Sequence, residues 1–198
     1  MDTRATLLSK FPYSRVRGSI KSSVVKQLVG AVDSFYGEDL RLREAFLSRS
    51  HLFSAHTPWS YFKNHRDFET PMESASRSIV ELQLDGYFYC EGFFATENFG
   101  AHHAWVCDDK GKGFELHYGD ELWRPGSLMV GMVVPVEALH GLYHQGKEDF
   151  GLLHAEASTV LGIRALSLPL SSTKTIQMSA SEIRVEDSPA NPLLSLAP

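Results

Sequence analysis

At 198 residues, 43% hydrophobic and 22% charged, the chain has the size and balance of one soluble domain with a well-developed core. A formal charge of -5 at pH 7 argues against a protein whose affinity comes mainly from neutralising phosphates, so nucleic acid is not an expected partner. No apolar run approaches the roughly 20 residues that cross a bilayer, and Leu7-Leu8 is interrupted at once by Ser9-Lys10, so the expectation is a cytoplasmic protein with no membrane partner.

Residues 1–21 are polar and basic, broken by Pro12 and Gly18, and read as a lead-in. From Ser22 the apolar residues Val24, Val25, Leu28, Val29, Val32 and Phe35 recur at three- and four-residue steps, which predicts a helix capped by Ser22 or Ser23 and ended by Gly37. A second helix is predicted from Glu38 to about Ser48, with Leu40, Leu42, Phe46 and Leu47 on its apolar side. The stretch 53–77 is dense in aromatic residues, among them Trp59, Tyr61, Phe62 and Phe68, and supports no element assignment.

From Ile79 onward the pattern predicts strands. Val80 to Leu84 alternates, Asp85-Gly86 is a hairpin signal, and 87–95 forms the next strand. Further strands are expected over 102–107 and 114–118, separated by glycine-containing turns, and the apolar run 128–134 suits a buried strand. A short helix is expected over 136–144. The end beyond about 170 is rich in Ser, Thr, Pro and Ala and predicts a flexible tail over 171–198, with Ile176 and Ile183 marking a candidate docked strand. The expected architecture is α+β: an N-terminal helical pair packed on an antiparallel β-meander of about five strands, then a short helix and a tail, with 22–170 as one globular domain.

Cys90, His103 and Glu115 supply the three residue types of a cysteine hydrolase: a thiol nucleophile, an imidazole base and an acid that orients the imidazole. Asp120 is a rival acid, since a hairpin about the 108–113 turn brings positions near 118–120 opposite His103. Strand parity leaves a second pairing open. With a turn over 96–100 centred on a residue, Glu91 faces His103 and Cys90 points away, whereas a one-residue change of register reverses this. Tyr89 and Trp105 are candidate binding residues or core aromatics.

The order of Cys90, His103-Ala104-Trp105 and then an acid after a glycine turn resembles transglutaminase-like and papain-like proteins, over about 87–153. That resemblance implies a hydrolase or acyl-transfer activity on an amide or ester bond, with histidine and acid on adjacent antiparallel strands. The chain has Glu115 where aspartate is usual, and Cys90 falls in a predicted strand where that family places its cysteine at a helix N-terminus.

Neither a cofactor nor a metal is expected. His102 and His103 are adjacent and point to opposite faces of a strand, and His140 and His144 lack the glutamate of a zinc-protease motif. Cys90 and Cys107 are too few for a disulfide framework and are expected as free thiols. The alternative to an enzyme with a small-molecule or protein substrate is a noncatalytic module that binds a protein partner through an aromatic-rich surface. A Glu/His hydrolase that dispenses with the thiol is the third possibility.

Overall fold

The computed structural model describes residues 21–54, 70–82, 87–108, 113–117, 127–136, 138–140, 151–153, 174–179 and 183–187. Helix α1 spans Ser22–Tyr36 and buries Val24, Val25, Leu28, Val32 and Tyr36, one face of a helical repeat. Its cap position is Lys21, which makes no side-chain cap bond, so the predicted serine cap does not form. Gly37 ends it with φ of 56°, a conformation that disfavours a side chain. Helix α2, Leu40–Arg49, begins at Asp39, whose carboxylate accepts from the Leu42 amide at 3.0 Å.

Strand β1 is His51–Ser54 and helix α3 is Pro71–Leu82. The predicted strand from Ile79 is therefore helical through Leu82. Pro71 occupies the first helical position with Thr70 Oγ1 accepting from the Glu73 amide at 3.1 Å, and Met72, Ala75 and Ile79 turn toward the core at helical spacing. The hairpin signal at 85–86 lies outside the described residues.

The remaining strands are β2 (Tyr87–Ala95), β3 (Gly100–Asp108), β4 (Gly113–Phe114), β5 (Leu128–Val134), β6 (Lys174–Met178) and β7 (Ile183–Asp187). The main sheet is antiparallel with the order β1-β5-β2-β3-β4. Strands β2 to β4 run as a meander, and β5 returns to the other side of β2 to complete five strands. Positions 136 and 138–140 are helical, with Leu139 fully buried. Strands β6 and β7 pair antiparallel, Ile176 opposite Val185, and β6 lies against α2 and β1. The fold is α+β, and the N-terminal helical pair packs on the sheet.

Parity divides the sheet into two faces. Tyr89, Glu91, Phe93, Ala104, Val106, Val130, Met132 and Val134 belong to the helix-covered core with Leu28, Val32 and Phe46. Cys90, Phe94, Trp105, Cys107, Met129 and Val133 pack with Phe53 on the other face. Trp105 spreads across that second face from β4 to β5: a Cβ on Gly131 would fall 2.4 Å from its Cη2, and one on Gly113 would fall 3.3 Å from its Cδ1. No described helix is long and apolar enough to cross a membrane.

Candidate functional site

Register decides which groups meet. The β2–β3 loop has four residues, 96–99, closed by the Thr96 amide donating to Phe99 O at 2.9 Å. Its centre falls between two residues, so His103 pairs with Gly92, and Glu91 pairs with Ala104. Of the two pairings that strand parity left open, that of Glu91 with His103, which needed a turn centred on a residue, does not form. Cys90 and His103 share one face of the sheet, and Glu91 and His102 share the other. Each histidine of the adjacent pair meets its own glutamate.

On the helix side Glu91 is fully buried and accepts four hydrogen bonds. The Tyr89 hydroxyl and the Leu152 amide both donate at 2.7 Å to Oε2. The Leu153 amide donates at 2.8 Å to Oε1, where His102 Nε2 also lies at 2.9 Å. Gly151, at φ of 75°, lets the backbone wrap the carboxylate, because a Cβ there would sit 2.5 Å from Oε1. Desolvation alone raises the carboxyl pKa, but the hydrogen bond and charge of His102, the Leu153 amide and the Tyr89 hydroxyl outweigh it and hold Glu91 below its ordinary value. An ionised carboxylate only accepts, so His102 Nε2 carries the proton. Tyr89 is wholly buried in this arrangement.

His102 itself reaches the edge of the core, its ring tilted against Phe35 at 4.8 Å and Phe93 at 5.8 Å. It lines an open cleft of about 470 Å³ between α1 and the start of β3, together with Gln27, Ala31, Ser34 and Gly100.

On the opposite face His103, 2% exposed, is hydrogen-bonded through Nε2 to Oε2 of Glu115, 1% exposed. Glu115 follows β4 directly, with Leu116 in the helix-side core, and its carboxylate meets the His103 ring. The His117 amide donates to Glu115 Oε1 at 2.6 Å, and Ser74 Oγ of α3 lies 3.1 Å from His117 Nδ1. Trp105 stacks on the His103 ring at 6.3 Å and 17°, and Phe94 lies at 5.8 Å. His117 is half-buried and is the part of this network nearest solvent. Burial, with a smaller contribution from the His103 charge, pushes its pKa below the ordinary value against the opposing pull of Glu115 and Glu73.

The predicted residues thus separate. His103 and Glu115 come together, while Asp120 lies outside the described residues. Cys90 is fully buried in the middle of β2 rather than at a helix N-terminus. Burial first, then the hydrogen bond and charge of Cys107, push its thiol well above the ordinary range. Both cysteines are free and buried. Trp105 is wholly buried core.

Ser74 and the amides of Leu152 and Leu153 were not singled out from sequence, and His102 entered only as a metal candidate. Among the described residues no group of three or more His, Cys, Asp or Glu side chains is placed to hold a metal ion. Comparison with protein-family models, with curated proteins and with solved structures returned no match.

Proposed function

We propose that the chain is a hydrolase acting on an amide, ester or related acyl bond, with His103 as general base and acid, Glu115 as its orienting carboxylate, and water rather than the Cys90 thiol as the attacking group. The observation that carries this reading is the buried His103–Glu115 pair, whose second carboxylate oxygen is held by the His117 amide. A carboxylate fixed at one ring nitrogen sets the tautomer and stabilises the imidazolium formed when the other nitrogen takes a proton. A histidine on a strand that meets an acid just beyond the end of the neighbouring strand is the feature resembling transglutaminase-like proteins that supports the reading. A buried, protonated thiol inside a strand is a poor nucleophile, which favours water. A cytoplasmic setting belongs to the same proposal, supported by two free thiols.

The test is turnover of a panel of chromogenic carboxylic esters and aminoacyl anilides by the wild-type chain, Glu115→Gln and Cys90→Ala. Loss of a conjugate base typically costs about 10²- to 10⁴-fold, so Glu115→Gln should fall in that range while Cys90→Ala stays within a few-fold. Turnover that survives Glu115→Gln in a folded protein counts against the reading, and abolition by Cys90→Ala restores the thiol. The second reading, a noncatalytic binding module, is favoured by the cleft beside His102 and predicts no turnover by any variant.

A further inference from the structure

The cleft between α1 and the start of β3 is built on a fixed wall. Glu91, itself held by the Tyr89 hydroxyl and the Leu152 and Leu153 amides, accepts from His102 Nε2. The His102 ring packs against Phe35 and Phe93, whose own rings meet edge to face at 5.3 Å. Three rings thus back a space of about 470 Å³, a size typical of small-molecule sites, and no Lys, Arg, Asp or Glu lines it.

Two glycines shape the cleft in opposite ways. At Gly100 a Cβ would fall 2.4 Å from Gln27 O and 3.1 Å from Ala31 Cβ, so glycine there lets α1 dock against the start of β3. At Gly30 a Cβ would meet nothing within 4 Å, so packing does not call for glycine, and inside a helix glycine is the poorest former after proline. The missing side chain leaves the flank of α1 low where Gly30 and Ala31 line the cleft. Gln27 and Ser34 lie two helical turns apart, about 10 Å along the axis, and bring hydrogen-bonding groups to its two ends.

We propose that this cleft binds a neutral, flat aromatic molecule about 10 Å long with a polar group at each end, and that Gly30 determines this specificity by leaving room for the ring. A ring gains from offset or edge contact with Phe35 and Phe93 beyond the area it covers. An anion gains nothing from a lining without Lys or Arg and is opposed by the Glu91 carboxylate behind His102. The inference rests on the cleft alone: His102 and the His103–Glu115 pair occupy opposite faces of the sheet, so it holds or fails separately from the hydrolase reading.

The test is titration of the ¹⁵N-labelled chain with 4-hydroxybenzamide, followed in ¹H–¹⁵N correlation spectra. The expected result is saturable shifts at the amides of Gly30, Ala31, Gly100 and Ala101 with a dissociation constant of about 1 mM. Binding should be about 10-fold weaker for 4-hydroxybenzoate, which has the same shape and an anionic end, and for 4-hydroxycyclohexanecarboxamide, whose ring is not flat. Gly30→Leu should raise the urea unfolding midpoint by a few tenths molar, because leucine forms helix better than glycine, while weakening 4-hydroxybenzamide about 10-fold or more. Absence of saturable shifts at those four amides up to about 10 mM overturns the inference from the wild type alone. So does equal or tighter binding of the benzoate or the saturated analogue, or a folded Gly30→Leu that binds as the wild type does.

Discussion

Replacing Glu91 by Gln keeps the side-chain shape and removes the charge from the middle of the core. The carboxylate accepts from Tyr89, Leu152, Leu153 and His102, and an amide offers one oxygen and one NH₂ group in its place. Two of the four donors then face a donor. Each hydrogen bond to a charged group is worth about 1.5 to 3 kcal/mol, and breaking a buried charged pair costs about 3 to 5 kcal/mol, so the substitution should destabilise the fold by about 4 kcal/mol. With a urea slope near 2 kcal/mol/M for a domain of this size, the unfolding midpoint should drop by about 2 M, read by fluorescence. Acid should act through the same group. The native pKa of Glu91 is lowered from 4.5, so its stabilisation is fully present above that value and is lost as pH falls toward the native one, where the unfolded chain binds the extra proton. The Gln variant should therefore show a flatter loss of stability below pH 4.5 than the wild type. A midpoint shift corresponding to less than about 1 kcal/mol would mean instead that the four donors find other partners at no cost.

Three further outcomes follow from the packing. Tyr36 carries a buried hydroxyl with no hydrogen-bond partner among the described residues, so Tyr36→Phe should leave stability unchanged or raise it by about 1 kcal/mol, and a loss above that size in a urea melt would contradict it. A Cβ on Gly92 would fall 2.0 Å from Val130 O, a backbone atom, so Gly92→Ala should destabilise by about 3 kcal/mol or more; a melt within about 0.5 kcal/mol of wild type would show that β2 and β5 separate freely. Cys90 and Cys107 should resist alkylation at pH 7 until denaturant is added, and rapid labelling of Cys90 alone would bring back the nucleophile.

Local pattern made α1, β2, β3 and β5 legible, because one-sided burial against the sheet or full burial in it leaves a period or an apolar run in the chain. Helix α3 was hidden for a different reason. Ser74, Ser76 and Ser78 are buried and donate to backbone carbonyls at Thr70, Glu73 and Ser74, so its inward face is not apolar, and the alternation at 80–84 outweighed the Met72, Ala75 and Ile79 spacing. Strand β1 is only four residues and drew no assignment from the aromatic stretch around it. The residue types of the histidine-to-acid pair were legible, but hairpin symmetry about 108–113 pointed to positions near 118–120 opposite His103, and it is Glu115 that meets the ring. The extension to Ser74 was not legible, since 43 residues separate Ser74 from His117. The partners of Glu91 at 152 and 153 are backbone amides, which any residue but proline supplies, and the register that sends Glu91 to His102 turned on whether a loop held an even number of residues.

Whether His103 held by Glu115 transfers the proton in acyl-bond hydrolysis, as proposed, is read from the pH dependence of kcat/KM on the best ester or anilide for the wild type and for His103→Gln, each verified as folded. The expected result is a wild-type rate that rises with pH as a base deprotonates, and a variant that is about 10²- to 10⁴-fold slower and has lost that limb. A His103→Gln protein that keeps both the rate and the limb would contradict it.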